Sequence, residues 1–340
     1  MLATRRQVIA GAVGGLGLLG IPAVRRAVAS TPVAEDVGCF AMQTYRVPKR
    51  DHRHDVAPDP DGRYVWYSGQ ASGIAGILDR QIDQVKMIPL GEGAAPHGVI
   101  VGPDRAAWLT DGGLNAIVRV DATTFEVTTY PLQGPNANLN TATFDLEGTL
   151  WFTGQNGIVG RLDPSTGEIV TQEAPRGRGP YGITTTPGGD VWFASLAGSY
   201  IGRLKFSAGT IAVEVVEPPT AGAGCRRVWS DSQGRLWVSE WNAGQVAVYD
   251  PQSKAWQEWR LPGEHPQAYA VYVDEHDAVW LSDFGANALV RFEPESERFD
   301  VLPLPHPDAA VRQLAGRPGE VWGAESGAAA LVVVQTECPS

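Results

Sequence analysis

One phrase recurs seven times along this 340-residue chain, a tryptophan set in a short apolar strand and followed by a polar turn. It reads Val65-Trp66-Tyr67, Ala107-Trp108-Leu109, Leu150-Trp151-Phe152, Val191-Trp192-Phe193, Leu236-Trp237-Val238, Val279-Trp280-Leu281 and Val321-Trp322-Gly323, at intervals of 42, 43, 41, 45, 43 and 42 residues. A constant period near 40 residues, with several short strands in each, predicts an all-β, seven-bladed β-propeller of four-stranded antiparallel blades. The second copy shows the expected meander: an inner strand at 98–101, the tryptophan strand, an apolar strand at 117–120 and an outer strand at 127–130. No blade can bury both of its faces alone, so the copies stand as one ring and one domain, expected over residues 30–340.

The seventh copy stops after its third strand, at 331–334. A spare strand lies at the other end of the chain, at 40–47, where Tyr45-Arg46-Val47-Pro48 resembles the outer-strand ending Thr129-Tyr130-Pro131. The N-terminal strand is therefore expected to close the ring on the last blade, removing two free sheet edges. Cys39 and Cys338 then fall at one end of that blade and are expected to form a disulfide, which leaves Cys225 without an assigned partner.

Composition agrees with a turn-rich β protein: 40 glycines, 25 prolines and 11 tryptophans, with 19% of residues charged. Residues 1–29 read as a twin-arginine signal peptide, with Thr4-Arg5-Arg6-Gln7 before a mildly apolar run and Ala27-Val28-Ala29 as a small-residue cleavage site. The run at 10–24 is shorter than the ~20 apolar residues that span a bilayer, so release to the periplasm or the exterior is expected, with no stable membrane span. The leader's Gly15-x-Gly17-x-x-Gly20 has no strand before it and no βαβ unit around it, and is set aside as a dinucleotide fingerprint. Removing the four leader arginines takes the net charge from −11 to about −15, which argues against a nucleic-acid partner. A monomer acting on a small-molecule or peptide-like substrate is expected.

No G-x-S-x-G, H-E-x-x-H, C-x-x-C or P-loop occurs in the mature sequence, so chemistry must come from equivalent positions of different blades meeting at the channel. Just before the inner strands stand His54, His97, Asn140, Tyr181, Arg226, Tyr269 and Arg312, a set suited to gripping a polar ligand. Three residues after each tryptophan stand Gly69, Asp111, Gly154, Ser195, Glu240, Asp283 and Glu325, whose carboxylates offer oxygen ligands for a hard divalent cation. Plainer roles compete. His54 sits in a solvated His52-Arg53-His54-Asp55 run, Tyr181 and Tyr269 suit packing at a blade rim, and Glu240, Asp283 and Glu325 suit turn capping or pairing with Arg226 and Arg312.

Pro96-His97-Gly98-Val99, Pro180-Tyr181-Gly182-Ile183-Thr184, Leu150-Trp151-Phe152-Thr153 and Ile201-Gly202-Arg203-Leu204 give the chain a resemblance to the virginiamycin B lyase (streptogramin lyase) family. The resemblance implies a magnesium-dependent lyase that opens a cyclic depsipeptide by β-elimination at an ester bond. The family places its two histidines in the last two blades, where this chain has Tyr269 and Arg312, so a linear carry-over keeps only Glu325. His54 and His97 also lie in consecutive blades, and Asp111 follows His97 by 14 residues, the family's constellation moved around the ring by two blades. That equivalence assigns His97 as the base, His54 as its catalytic neighbour, and Asp111 and Glu325 as magnesium ligands. Tyr181, Arg226, Tyr269, Arg312 and Asn140 are left to bind substrate. The other reading is a non-catalytic ligand-binding or interaction propeller. A sugar lactonase fits less well, because that architecture has six blades.

Overall fold

In the computed structural model, residues 26–28, 33–37, 40–48 and 52–337 are described, and every regular element among them is a β-strand. Seven antiparallel sheets follow one another along the chain, each a meander. Blade 2 shows the plan, with strands Pro96–Val101, Ala107–Asp111, Ala116–Val120 and Val127–Pro131. The first of these is innermost and the last outermost. Innermost strands of neighbouring blades pack side by side around a central channel, and the last meets the first.

Burial follows the distance from the axis. The tryptophan strands are buried along almost their whole length, whereas the outermost strands turn Thr, Glu and Gln to solvent, as in Ile169–Glu173. The core is therefore a set of interblade layers. Between blades 5 and 6, Trp237, Val246 and Val248 meet Val271, Leu281, Val290 and Phe292. Each layer needs both of its blades, so the apolar pattern of one repeat is satisfied only by the next.

The ring closes as the sequence predicts. Phe40–Arg46 pairs antiparallel with Ala330–Gln335, from Met42 opposite Val334 to Arg46 opposite Ala330. Tyr45 stacks on Trp322, with centroids 5.6 Å apart, and Phe40 sets its ring edge-on to Trp280 at 5.8 Å. Two short strands extend the sheets outward. Val33–Val37 pairs beyond the closing strand, and Arg26–Val28, within the segment read as a leader, pairs with Gln84–Lys86 of blade 1. The rest of that leader, Cys39 and Cys338 lie outside the described residues.

In five of the seven blades a carboxylate before or at the start of the tryptophan strand clasps the indole. Asp104, Asp145, Asp231 and Asp274 accept the indole N–H of Trp108, Trp151, Trp237 and Trp280 at 2.7–3.0 Å, and Glu320 does the same for Trp322. The other oxygen of Asp274 accepts the backbone N–H groups of His276 and Ala278, which folds the turn. Asp274 is buried, so Asp274→Ala would leave three donors without this partner, those of Ala278 and Trp280 away from water. We expect that variant to lose about 3 kcal/mol in denaturant unfolding, at roughly 1 kcal/mol per lost partner. A loss near zero would show that the clasp does not hold the turn.

Candidate functional site

Each innermost strand breaks register with its neighbour at its first residues, for example between Arg53 and Val56 in blade 1 and between Cys225 and Arg227 in blade 5. The other five blades do the same at equivalent places. A bulge inserts a residue that has no partner across the ladder, so two successive side chains can face the same way. Here they face the axis in pairs: His54 with Asp55, Asn140 with Thr141, Arg226 with Arg227. Room for this comes from Gly182 beside Arg227, where a Cβ would lie 2.7 Å from the Arg227 Cα.

The seven side chains read from the sequence form one connected circuit of contacts. The imidazoles of His54 and His97 lie with ring centroids 3.5 Å apart. His97 meets Asn140 by hydrogen bond and Tyr181 edge-on at 6.0 Å. The Tyr181 and Tyr269 hydroxyls hydrogen-bond at 2.6 Å. Arg226 donates to the Tyr181 hydroxyl at 3.1 Å and lies 3.5 Å over the Tyr269 ring, while Arg312 donates to the Tyr269 hydroxyl at 3.3 Å. Half-buried Trp241 and Phe284 pack on Tyr269 at the rim.

Beneath this circuit Arg227 crosses the channel. It donates to Asp55 Oδ1 at 3.1 Å, to the Thr141 hydroxyl and to the Arg312 carbonyl, so one guanidinium ties blades 1, 3, 5 and 7 together. The network sets both imidazole tautomers. His97 Nδ1–H donates to the Asn140 carbonyl at 3.1 Å, and its Nε2 accepts from the Asn140 amide at 3.3 Å. Asn140 is held in that orientation because its Oδ1 accepts from the Thr141 hydroxyl at 2.7 Å. His54 Nδ1–H donates to Asp55 Oδ1 at 2.8 Å, which leaves the lone pair of His54 Nε2 without a donor among the described residues.

Burial and the guanidiniums fix the protonation states. Desolvation, reinforced for His54 by Arg227, Arg312 and Arg226, holds both imidazoles well below the ordinary histidine value. For His97 the next largest push is His54 itself. Burial raises Asp55, and the nearby Arg227 opposes that rise. In the tyrosine pair, burial and the neighbouring Tyr269 push Tyr181 up to about 12. Burial also works against ionisation of Tyr269, but Arg226, Arg227, the hydrogen bond with Tyr181 and Arg312 outweigh it and bring this phenol below its ordinary value.

The acidic positions are placed differently. Asp111 Oδ1 accepts the backbone N–H groups of Ala95 and Leu114, both at 2.9 Å, and Asp283 Oδ1 those of Gln267 and Gly285, both at 2.8 Å. These are turn caps. Glu325 Oε2 lies 2.7 Å from His306 Nδ1, an ion-pair contact without hydrogen-bond alignment, and burial raises this carboxyl. Glu240 takes Gln245 Nε2 at 2.6 Å and is pushed by burial up to about 7. Neither Asp111 nor Glu325 belongs to a converging group of three or more such ligands among the described residues.

Among the described residues, the group able to converge on an ion is His54, Asp55 and His97, with one ligand atom from each within 4.8 Å of the others. This donor set does not suit magnesium, which demands oxygen ligands in near-octahedral geometry. It offers a single carboxylate already paired with Arg227, a His97 with both nitrogens engaged, and three guanidiniums whose charge repels a cation.

Reasoning from the sequence missed Asp55, Thr141 and Arg227. The signal was the polar residue directly after a ring position, where three other blades have Gly98, Gly182 and Ala270 and blade 7 has Gln313. Cys225 is buried and free, its sulfur 4.0 Å from Glu240 Oε1, and burial lifts its thiol well above the usual value.

Fold and site together define a seven-bladed propeller whose channel is closed at one end by a hydrogen-bonded circuit of imidazoles, phenols and guanidiniums. The profile of the virginiamycin B lyase family matches residues 81–336, and the chain belongs to that family. A virginiamycin B lyase of Nocardia farcinica (strain IFM 10152) is 34% identical over 110 residues, a stretch covering 32% of this chain and 36% of that protein. A solved streptogramin B lyase superimposes with a TM-score of 0.79 at 22% identity, covering 87% of this chain and 97% of that one. A catalytically inactive histidine-to-alanine variant of virginiamycin B lyase from Staphylococcus aureus, with quinupristin, gives 0.80 at 20% identity, covering 88% and 100%. At these identities the solved structures speak to the fold alone.

The tyrosine pair makes the electrostatics measurable. Tyr200, Tyr249 and Tyr272 are raised by burial, as is Tyr181, so Tyr269 is expected to ionise before them and below the ordinary ~10. Near-ultraviolet absorbance should show one early tyrosinate step that Tyr269→Phe removes. A step that survives that substitution would refute the assignment.

Proposed function

We propose that this chain is a carbon–oxygen lyase that opens an ester by β-elimination, with His54 as the base and a cyclic depsipeptide of the streptogramin kind as the substrate class. The observation that carries the reading is the Asp55–His54 dyad, in which Asp55 accepts from Nδ1–H at 2.8 Å and the Nε2 lone pair is left available. His97, expected from the sequence to be the base, has both nitrogens engaged by Asn140 and becomes the neighbour that holds the His54 ring. The two roles are therefore exchanged in this proposal.

The chemistry follows from the electrostatics. His54 Nε2 takes the proton from the carbon beside a carbonyl, the C–H electron pair becomes a C=C bond, and the C–O bond breaks to release a carboxylate. Arg226 and Arg312, both close enough to depress His54, meet the charge that develops on the carbonyl oxygen and on the leaving carboxylate. Family membership and the likeness to lyase structures support this reading. The proposed step uses no metal; the converging donor set does not suit the magnesium expected from the sequence. The twin-arginine leader supports action outside the cytoplasm.

A second reading, a non-catalytic binding propeller, draws on the saturated hydrogen bonding of His97 and on the burial of the circuit, where His54 is 6% and His97 4% exposed. Turnover separates the two. With quinupristin as the probe, elimination gives a ring-opened product of unchanged mass, whereas hydrolysis adds one water. His54→Ala should lower kcat by ~10²–10⁴-fold, the usual contribution of a general base. Since the base must be neutral and its pKa is held down, kcat/KM should stay level down to ~6.5 and fall only at lower pH. EDTA should leave the rate unchanged. A product heavier by one water, or full activity in His54→Ala, would overturn the lyase reading, and an EDTA-sensitive rate would overturn its metal-free form.

A further inference from the structure

The circuit closes only one end of the channel. Its residues stand at the starts of the innermost strands, and those strands run on toward the opposite face, where they line a separate cavity of about 550 Å³. That volume is in the range of small-molecule sites. The bar formed by Asp55, Arg227 and Thr141 separates the two ends, and Asp55 and Thr141 also line the cavity's inner end.

Three polar groups on its wall have no partner among the described residues. Gln313, 8% exposed, uses Oε1 to accept the Val56 N–H at 3.1 Å, which leaves its Nε2 hydrogens unused. Thr184, 5% exposed, makes no side-chain hydrogen bond, and neither does the indole N–H of half-buried Trp229. Between them stand Ile100, Ala142 and Ile183. The three polar groups face the open volume of the cavity with no protein partner among the described residues, so a wall with two donors and a hydroxyl is suited to a ligand that brings acceptors.

We propose that this opposite mouth is a second binding site, for a small neutral peptide-like amide. The chemistry selects that class. Two N–H donors match two carbonyl oxygens, the Thr184 hydroxyl can accept an amide N–H, and the apolar stretch between them takes an aliphatic side chain. Other hydroxyls on the wall, those of Thr143, Thr185 and Ser230, already hydrogen-bond within the protein, so a polyol gains less there than an amide. A charged ligand is not favoured at the inner end, because the one carboxylate there, Asp55, is paired with Arg227 and hydrogen-bonded by His54, so its charge is compensated.

The site does not depend on the lyase reading, and its test reads binding alone. Full-length protein labelled with ¹⁵N-tryptophan is titrated with N-acetyl-leucinamide while the indole resonances are followed, Trp229 being assigned by Trp229→Phe. The expected result is a saturable shift of the Trp229 signal with Trp241, on the opposite mouth, unmoved. Gln313→Leu with Thr184→Val should weaken binding at least tenfold. Should that variant fail to fold, contacts between the probe's methyl groups and Ile183 in the wild-type protein provide the same information. No saturable shift, a shift that survives the double variant, movement of Trp241 instead, or equal binding of methyl glucoside would each overturn the proposal.

Discussion

Arg227 reaching across the channel to Asp55 is the interaction on which the rest of the site depends. The two residues are 172 positions apart and come from blades on different sides of the ring, yet their side chains meet at 3.1 Å with almost no exposure to water. Taking both charges out of water is costly, and the attraction repays it only when the remaining hydrogen-bonding groups are satisfied. Here they largely are: Arg227 also reaches Thr141 and the Arg312 carbonyl, and Asp55 also holds His54. Thr141 then orients Asn140, and Asn140 orients His97. Both imidazole tautomers are thus set by one ion pair through chains of two or three hydrogen bonds.

The scaffold can carry such a network because it does not rely on the channel for its stability. Five blades are clasped near the second strand by a carboxylate-to-indole bond, and the interblade layers are filled by residues of the second and third strands together with the later residues of the innermost strand. The innermost strand is left to bear polar side chains at its bulge. This division explains how seven repeats with one core pattern hold four different residue types at the ring position.

The fold was legible because period and strand alternation are local properties. Seven tryptophan phrases, a missing last strand and a spare first one lead directly to the observed closure of Phe40–Arg46 on Ala330–Gln335. The ring positions were legible for the same reason, since counting back from each tryptophan finds His54 and Arg312 despite one-residue offsets in blades 1 and 7. Pairings across the channel were not. Nothing in the spacing of Asp55 and Arg227 says that they meet, and the bulges that turn successive residues to the same side do not show in a repeat alignment. The acidic positions misled for a related reason: a carboxylate three residues after tryptophan looks the same whether it faces a metal or, as at Asp111 and Asp283, caps a turn.

Charge at the site runs against charge in the molecule. The whole chain carries −11, yet Arg226, Arg227 and Arg312 converge on the circuit against the single carboxylate of Asp55, with both imidazoles neutral. A local excess of positive charge inside a low-dielectric channel attracts anions far more strongly than the same guanidiniums would at the surface. The same field keeps His54 deprotonated and eases ionisation of Tyr269. A ligand that enters neutral and becomes negative during reaction gains from this field only as its charge develops. That is the condition under which fixed cations lower a barrier instead of merely holding a substrate.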